Sequence, residues 1–240
     1  MSELRSENLL AAENVDTFYG ASHILRNVTL RIRRGEAVSL LGRNGVGKTT
    51  FLRTLAGLVR AKHGRIALAG YDIAGQRASA IARAGLALVP EGRGIFRNLT
   101  VEENLQLACR PAKTGGSRSI ESIYAMFPRL AERRRNWGDQ LSGGEQQMLT
   151  IGRALLTNPS LLMIDEATEG LAPKVRDDIW RTLDLVRRDG IAILVVDKNV
   201  DDLLTLCDRH VILVKGEIVF EGDSASLREN PDVIHTHLGI

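Results

Sequence analysis

No stretch of this chain approaches the length of uninterrupted apolar sequence that crosses a bilayer, and its opening MSELRSENLL lacks the basic-then-apolar pattern of a secretion leader. The expectation is a protein that stays in the cytoplasm. Cysteine is scarce: Cys109 and Cys207 are the only two in 240 residues, far apart and without metal-ligand spacing, so reduced, structural thiols are the default reading. His235 and His237 have no further ligands beside them in sequence and read as solvated, so no structural metal is assigned. A large excess of one charge is also missing. Thirty-two Lys and Arg stand against 29 Asp and Glu, a net charge of +3, too mild to argue for a nucleic-acid binder. The densest basic run, RLAERRRNW, reads as a solvated helix face. What is present is ordinary for a globular chain, 44% hydrophobic and 25% charged residues, enough for one large domain to bury a full core.

Apolar, β-rich stretches occur at 24–32, 37–41, 65–69, 86–89, 161–164, 191–196 and 211–214, several alternating with helical patterns. Such alternation predicts an α/β fold with a mixed, mostly parallel sheet covered by helices and antiparallel only towards its ends. VILVKGEIVFEG reads as a hairpin around Lys-Gly, and NVTLRIRRGEAVSLLG carries a similar turn at Arg-Gly-Glu. Between residues 90 and 159 the pattern turns helical, with Thr100 and Glu103 as a capping box. The Gly/Ser-rich break PAKTGGSRS fits a loop within that helical insert.

GRNGVGKT matches G-x-x-x-x-G-K-[ST] without a mismatch, after the apolar strand AVSLL and before a helical pattern. Gly42, Gly45 and Gly47 let the backbone curl so that its N–H groups face a phosphate chain at a helix N-terminus. Lys48 adds positive charge for the β- and γ-phosphates, and Thr49 offers a hydroxyl to Mg²⁺. Arg43, Asn44, Val46 and Thr50 complete the candidate nucleotide contacts. LLMIDEA then delivers Asp165 and Glu166 to the end of a buried strand, where open α/β sheets bind ligands. Asp165 is expected to hold Mg²⁺ through its water shell, and Glu166 to orient or deprotonate an attacking water. In LSGGEQQ, Ser142 and Glu145 form a second capping box, and Gly143 and Gly144 inside the first turn expose backbone N–H groups and weaken a helix, for which the approach of a phosphate ligand is the expected reason.

LSGGEQQ upstream of LLMIDEA, after GRNGVGKT, resembles the ATP-binding cassette ATPases over essentially the whole chain. The resemblance implies one nucleotide-binding domain over 1–240. Its parts would be a P-loop, RecA-like core at about 1–90 and 158–240 with an N-terminal antiparallel β region, and a helical subdomain at about 91–157. It implies ATP and Mg²⁺ as ligands and a dimer with a second ATPase subunit, in which Ser142, Gly143, Gly144 and Glu145 act in trans. It further implies that Tyr19 stacks on adenine, a role that a lone Tyr beside Phe18 would not otherwise receive.

LVPEGRGIFRNLTVEENL, DEATEGLAP and VVDKNV narrow the likeness to the short ATPase subunit of branched-chain amino-acid importers, with urea or other amides as alternative solutes. Two membrane permeases, an extracytoplasmic solute-binding protein and a position on the inner face of the cell membrane follow from that likeness. A regulatory cassette on nucleic acid or ribosomes is the alternative, against which stand a single cassette and no basic tail. Three positions depart from the wider family. Glu91 replaces a glutamine and is expected to reach the metal through water. Ala172 replaces the aspartate of the loop that communicates across the dimer. Lys198 replaces a histidine that contacts the γ-phosphate; an ammonium donates but cannot accept a proton, so Lys198 is expected to stabilise charge rather than relay protons. An asymmetric pair, with the partner's site carrying most hydrolysis, is the alternative account.

Overall fold

The chain is described by a computed structural model over residues 8–92, 94–109, 118–166 and 168–238, so all of the Gly/Ser-rich break at 111–119 except Arg118 and Ser119 lies outside the described residues. It begins with β1 (Asn8–Tyr19), β2 (Ser22–Arg33) and β3 (Ala37–Leu41), followed by α1 (Lys48–Leu55), β4 (Ala61–Leu68), β5 (Tyr71–Asp72), α2 (Ala78–Ala84) and β6 (Leu86–Val89). A helical stretch follows: α3 (Val101–Gln106), α4 (Ile120–Met126), α5 (Pro128–Glu132), a 3-10 turn at Gly138–Gln140 and α6 (Gly143–Leu156). The rest is β7 (Leu161–Asp165), α7 (Pro173–Arg188), β8 (Ala192–Val196), α8 (Val200–Leu206), β9 (Arg209–Val214), β10 (Glu217–Gly222), α9 (Ser224–Glu229) and α10 (Pro231–Leu238). No helix among the described residues is long and apolar enough to cross a membrane.

Two sheets result. One runs β2-β1-β4-β5 and is antiparallel throughout; the other runs β10-β9-β3-β8-β7-β6, parallel except for its β10-β9 edge. Every residue of β3, β7 and β8 is buried, as expected for strands covered on both faces. Alternate residues serve two different cores. Leu162, Ile164, Ile193 and Val195 face the core shared with α6 and α7, whereas Leu161, Met163, Ala192, Leu194 and Val196 face the one shared with α1 and the antiparallel sheet.

β1 is a strand that the sequence pattern does not announce. Its NLLAAENVDTFY contains alanines, Asn and Glu that disfavour strands, and its alternation is broken by register shifts on both sides of Asn14. Asn14 itself has φ 51°, and its N–H donates to Thr29 Oγ1 at 3.0 Å. The turn at Lys215 and Gly216 closes the β9-β10 hairpin with φ of 49° and 84°, as a type I′ turn requires. The similar-looking Arg-Gly-Glu turn behaves differently: β2 and β3 belong to separate sheets, and Gly35 carries the chain from one to the other. Apolar flanks alone cannot distinguish these outcomes, because both partners of β3 come from the far end of the chain.

His210 is fully buried on β9, where its Nδ1 meets Ser39 Oγ of β3 at 2.8 Å and its Nε2 meets Ser224 Oγ at 2.8 Å. Ser224 donates to Leu204 O at 3.1 Å, so it accepts from Nε2–H, and Nδ1 accepts from Ser39. Burial lowers the His210 pKa below its ordinary 6.5, with Asp223 and Asp208 opposing and Arg228 reinforcing. In the window between that lowered value and about 6.5 the unfolded chain binds more protons than the folded one, so stability rises with pH there. His210 therefore contributes fully above about pH 6.5 and progressively less as the solution is acidified. Unfolding free energies measured from pH 5 to 8 should fall more steeply on the acid side in the wild type than in His210→Gln; parallel curves would refute this role.

Candidate active site

Parallel strands end together, and their loops inherit that alignment. In the order β3-β8-β7-β6, Val195 lies opposite both Ser39 and Ile164, and Val89 lies opposite Ile164. The loops leaving the C-terminal ends of these four strands carry residues 42–47, Asp197 to Asn199, Glu166 and Glu91, which the chain order scatters over more than half its length. This is the end of an open α/β sheet where ligands bind.

The 42–47 loop curls through three left-handed glycines, with φ of 144° at Gly42, 79° at Gly45 and 114° at Gly47. At Gly42 space matters as much as conformation, since a Cβ there would stand 2.4 Å from the Leu213 carbonyl oxygen. Lys48 opens α1, and its ammonium folds back on the loop, donating to Gly42 O at 2.7 Å and Arg43 O at 3.0 Å. Burial pulls its pKa down while Glu166 and Asp165 oppose the shift. Val46 packs against the core of the antiparallel sheet, and Thr50 O accepts from the Thr54 hydroxyl at 2.7 Å. Asn44 and Arg43 are exposed.

Thr49 Oγ1 donates to Asp165 Oδ1 at 3.2 Å. Asp165 is only 3% exposed, and burial pushes its carboxyl pKa up, with the Thr49 bond opposing and Glu91 adding to the rise. A buried carboxylate beside a hydroxyl and a cluster of further carboxylates is a hard-oxygen donor set that suits Mg²⁺. Glu166 follows with φ 49°, a left-handed conformation rare for a residue with a side chain, held by its N–H donating to Val196 O at 2.8 Å. Glu91, Glu166 and Glu169 bring carboxylate oxygens within 4.8 Å of one another. Burial raises the Glu166 pKa first, the hydrogen bond with Glu169 adds to it, and Lys198 opposes, whereas the bonds with Glu166 and Lys198 lower the Glu169 pKa.

VVDKNV resolves into three separate tasks. Asp197 is buried and accepts from the Thr168 hydroxyl at 2.6 Å and from Asn199 N–H at 3.0 Å. Lys198 reaches Glu169 Oε1 at 2.5 Å and Glu166 Oε2 at 3.5 Å. Asn199 occupies the N-cap position of α8 without a side-chain capping bond, and its amide donates instead to the Asp202 carboxylate. Thr168 and Glu169 are members of this site that sequence reasoning missed. The only signal was their place in DEATEGLAP, since a Thr-Glu pair in a turn has no chemistry of its own.

Other expected residues stand apart. Tyr19 ends β1, opposite Ser22, and is 47% exposed. Ser142 and Glu145 form the expected capping box at the start of α6, with Ser142 Oγ accepting from Glu145 N–H at 3.3 Å and Glu145 Oε2 from Ser142 N–H at 2.8 Å. Gly143 is half-buried beside them. Gly144 has a packing reason that the sequence did not disclose: a Cβ on it would come within 2.5 Å of Val175 Cγ1, on the first turn of α7. Ala172 is the N-cap of that same helix and offers no side-chain acceptor, so its departure also leaves α7 uncapped ahead of Pro173. His235 is exposed and His237 half-buried on α10.

The profile of the ABC transporter family matches residues 25–169. A relative from Pseudomonas aeruginosa, the high-affinity branched-chain amino acid transport ATP-binding protein BraG, is 40% identical over 96% of this chain and 100% of its own length. The lipopolysaccharide export system ATP-binding protein LptB of Haemophilus influenzae is 34% identical over 97% of this chain and 98% of its own. Among solved structures, the ATP binding subunit of an ABC transporter superposes with a TM-score of 0.82 at 29% identity, covering 94% of each chain. A bacterial ABC transporter cassette solved as a dimer gives 0.76 at 26% identity, covering 90% of this chain and 98% of that one.

The close contact at Gly144 yields a stability prediction. Gly144→Ala should destabilise the chain by about 1–3 kcal/mol through overpacking, despite the better helix propensity of alanine. Val175→Ala in the same chain should recover part of that loss, whereas additive effects in denaturant titrations would show that the two residues do not press on each other.

Proposed function

The chain belongs to the ABC transporter family and is an ATPase of that family, and from this premise we propose that it drives an importer of branched-chain amino acids. The observation that carries the catalytic reading is the meeting of Lys48, Thr49, Asp165, Glu166 and Lys198 at one end of the parallel sheet. In this reading the N–H groups of the 42–47 loop and the dipole of α1 bind the phosphate chain, with Lys48 adding charge at the β- and γ-phosphates. Arg43, Asn44 and Thr50 complete the nucleotide contacts, and Tyr19 stacks on adenine. Thr49 and Asp165 would hold Mg²⁺, and Glu91 would reach it through water. The ion, when bound, offsets charge on the phosphate oxygens.

Glu166 orients the attacking water and takes its proton, a task suited to a carboxyl whose pKa is raised by burial. Lys198 stabilises the charge that develops on the phosphoryl oxygens. Ser142, Gly143, Gly144 and Glu145, at the N-terminus of α6, complete the partner subunit's nucleotide site in trans. The division into a core at about 1–90 and 158–240 and a helical subdomain at about 91–157 is part of the same proposal. ATP favours the closed dimer because it binds that state more tightly than the open one, and hydrolysis restores the open state.

The partners in this reading are a second ATPase subunit, two membrane permeases and, indirectly, an extracytoplasmic solute-binding protein, with the chain peripheral on the inner face of the membrane. The solute is inferred from the likeness to BraG over its whole length. With its membrane partners assembled, ATPase activity should rise with binding protein loaded with leucine, isoleucine or valine. Stimulation by urea or amides instead would reassign the solute. Recovery of the chain on ribosomes or DNA rather than with permeases would replace transport altogether.

Glu166→Gln tests the chemistry. It should retain ATP binding, lower hydrolysis by roughly two to four orders of magnitude and accumulate an ATP-bound dimer visible by sedimentation. Sustained turnover in that variant would remove Glu166 from its role.

A further inference from the structure

Lys198 carries its charge on a flexible four-carbon stem and is about half exposed, 49% by side-chain area. Left alone, such a side chain samples many rotamers. Here it is held. Its Nζ lies 2.5 Å from Glu169 Oε1 and 3.5 Å from Glu166 Oε2, so a single ammonium bridges two carboxylates. The supports of that bridge are fixed as well. Thr168, next to Glu169, donates to Asp197, next to Lys198, at 2.6 Å in a buried bond, and Asp197 also accepts from Asn199 N–H. The loop after β7 and the loop after β8 are thus locked together one residue away from each end of the ion pair. Both loops line one cavity of about 330 Å³, whose wall includes Glu166, Thr168, Glu169, Lys198 and Asn199.

We propose that Glu169 is a positioning residue of the hydrolytic site, holding the Lys198 ammonium beside Glu166 so that the loops following β7 and β8 act on the reaction as one unit. An exposed ion pair contributes little to folding, since entropy and solvent screening offset most of its attraction. That cost is reduced here because the Thr168–Asp197 bond has already ordered both supports. The effect of the pair therefore belongs to turnover rather than to stability: where the ammonium stands decides whether it meets the charge that develops in hydrolysis. The inference rests on the reading of Glu166 and Lys198 given above, and it adds Glu169, which acts only through Lys198.

The test is a double-mutant cycle on the full chain assembled with its membrane partners, reading kcat and KM for ATP in Glu169→Gln, Lys198→Ala and the combined variant. Each single variant should lose roughly three- to tenfold in kcat, with KM within about twofold of wild type and an unchanged unfolding midpoint. The combined variant should be no slower than Lys198→Ala alone. Lys198→Arg should retain most of the activity when Glu169 is present and lose it in Glu169→Gln. Losses that multiply in the combined variant would overturn the inference while leaving the role of Lys198 intact, as would Glu169→Gln turning over at the wild-type rate. Wild-type turnover in Lys198→Ala would reject the underlying reading of Lys198 itself, and the inference with it.

Discussion

β8 is hydrogen-bonded on one side to β3 and on the other to β7, with Val195 opposite both Ser39 and Ile164. These three strands come from widely separated parts of the chain, and their parallel alignment sets their C-terminal ends level. A slip of one residue in that register would send every side chain of β8 to the opposite core and withdraw Asp197 from Thr168. Apolar residues on both faces of all three strands prevent the slip, because either displacement exchanges the two sets of core contacts. The site is thus held in place by the packing of a sheet whose apolar residues do no chemistry and whose last β7 residue, Asp165, reaches into it.

On that frame sits a cluster of charges that folding alone would not favour. Asp165, Glu166, Glu169 and Glu91 crowd one region, with Lys48 and Lys198 as the ammonium groups among them. Burial pushes the carboxyls of Asp165 and Glu166 up and the Lys48 ammonium down, and each shift measures a preference for the neutral form. A surplus of carboxylates around a cradle of backbone N–H groups suits a phosphate chain that arrives with a divalent cation. The strained φ of Glu166 belongs to the same economy of the site, since its N–H bond to Val196 fixes a conformation that a free turn would avoid.

The start of α6 joins this site to the rest of the molecule by contact rather than by charge. Gly144 lets Val175 approach, and Val175 lies on the first turn of α7, just beyond the segment that contains Thr168, Glu169 and Ala172. A displacement of α6 is therefore felt at the N-terminus of α7, close-packed atoms being poor at absorbing it. The missing cap at Ala172 leaves that N-terminus without one of its usual restraints.

The glycines of GRNGVGKT, the capping boxes at Thr100 and Ser142, and the apolar strands ending in Leu41, Asp165 and Val196 were all legible in the sequence. Each depends on neighbours within a few residues, where spacing and side-chain type suffice. β1 was not legible, because its strand character comes from pairing with both β2 and β4 across bulges. Nor was the division of β2 and β3 between sheets, the contact that requires Gly144 to be glycine, or the bridge from Lys198 to Glu169. These are long-range facts. The sequence by itself determined which groups can hold phosphate and metal, since that follows from the chemistry of the residues. Only the tertiary structure decided which of them meet, since strand order and register bring together loops that no local pattern connects.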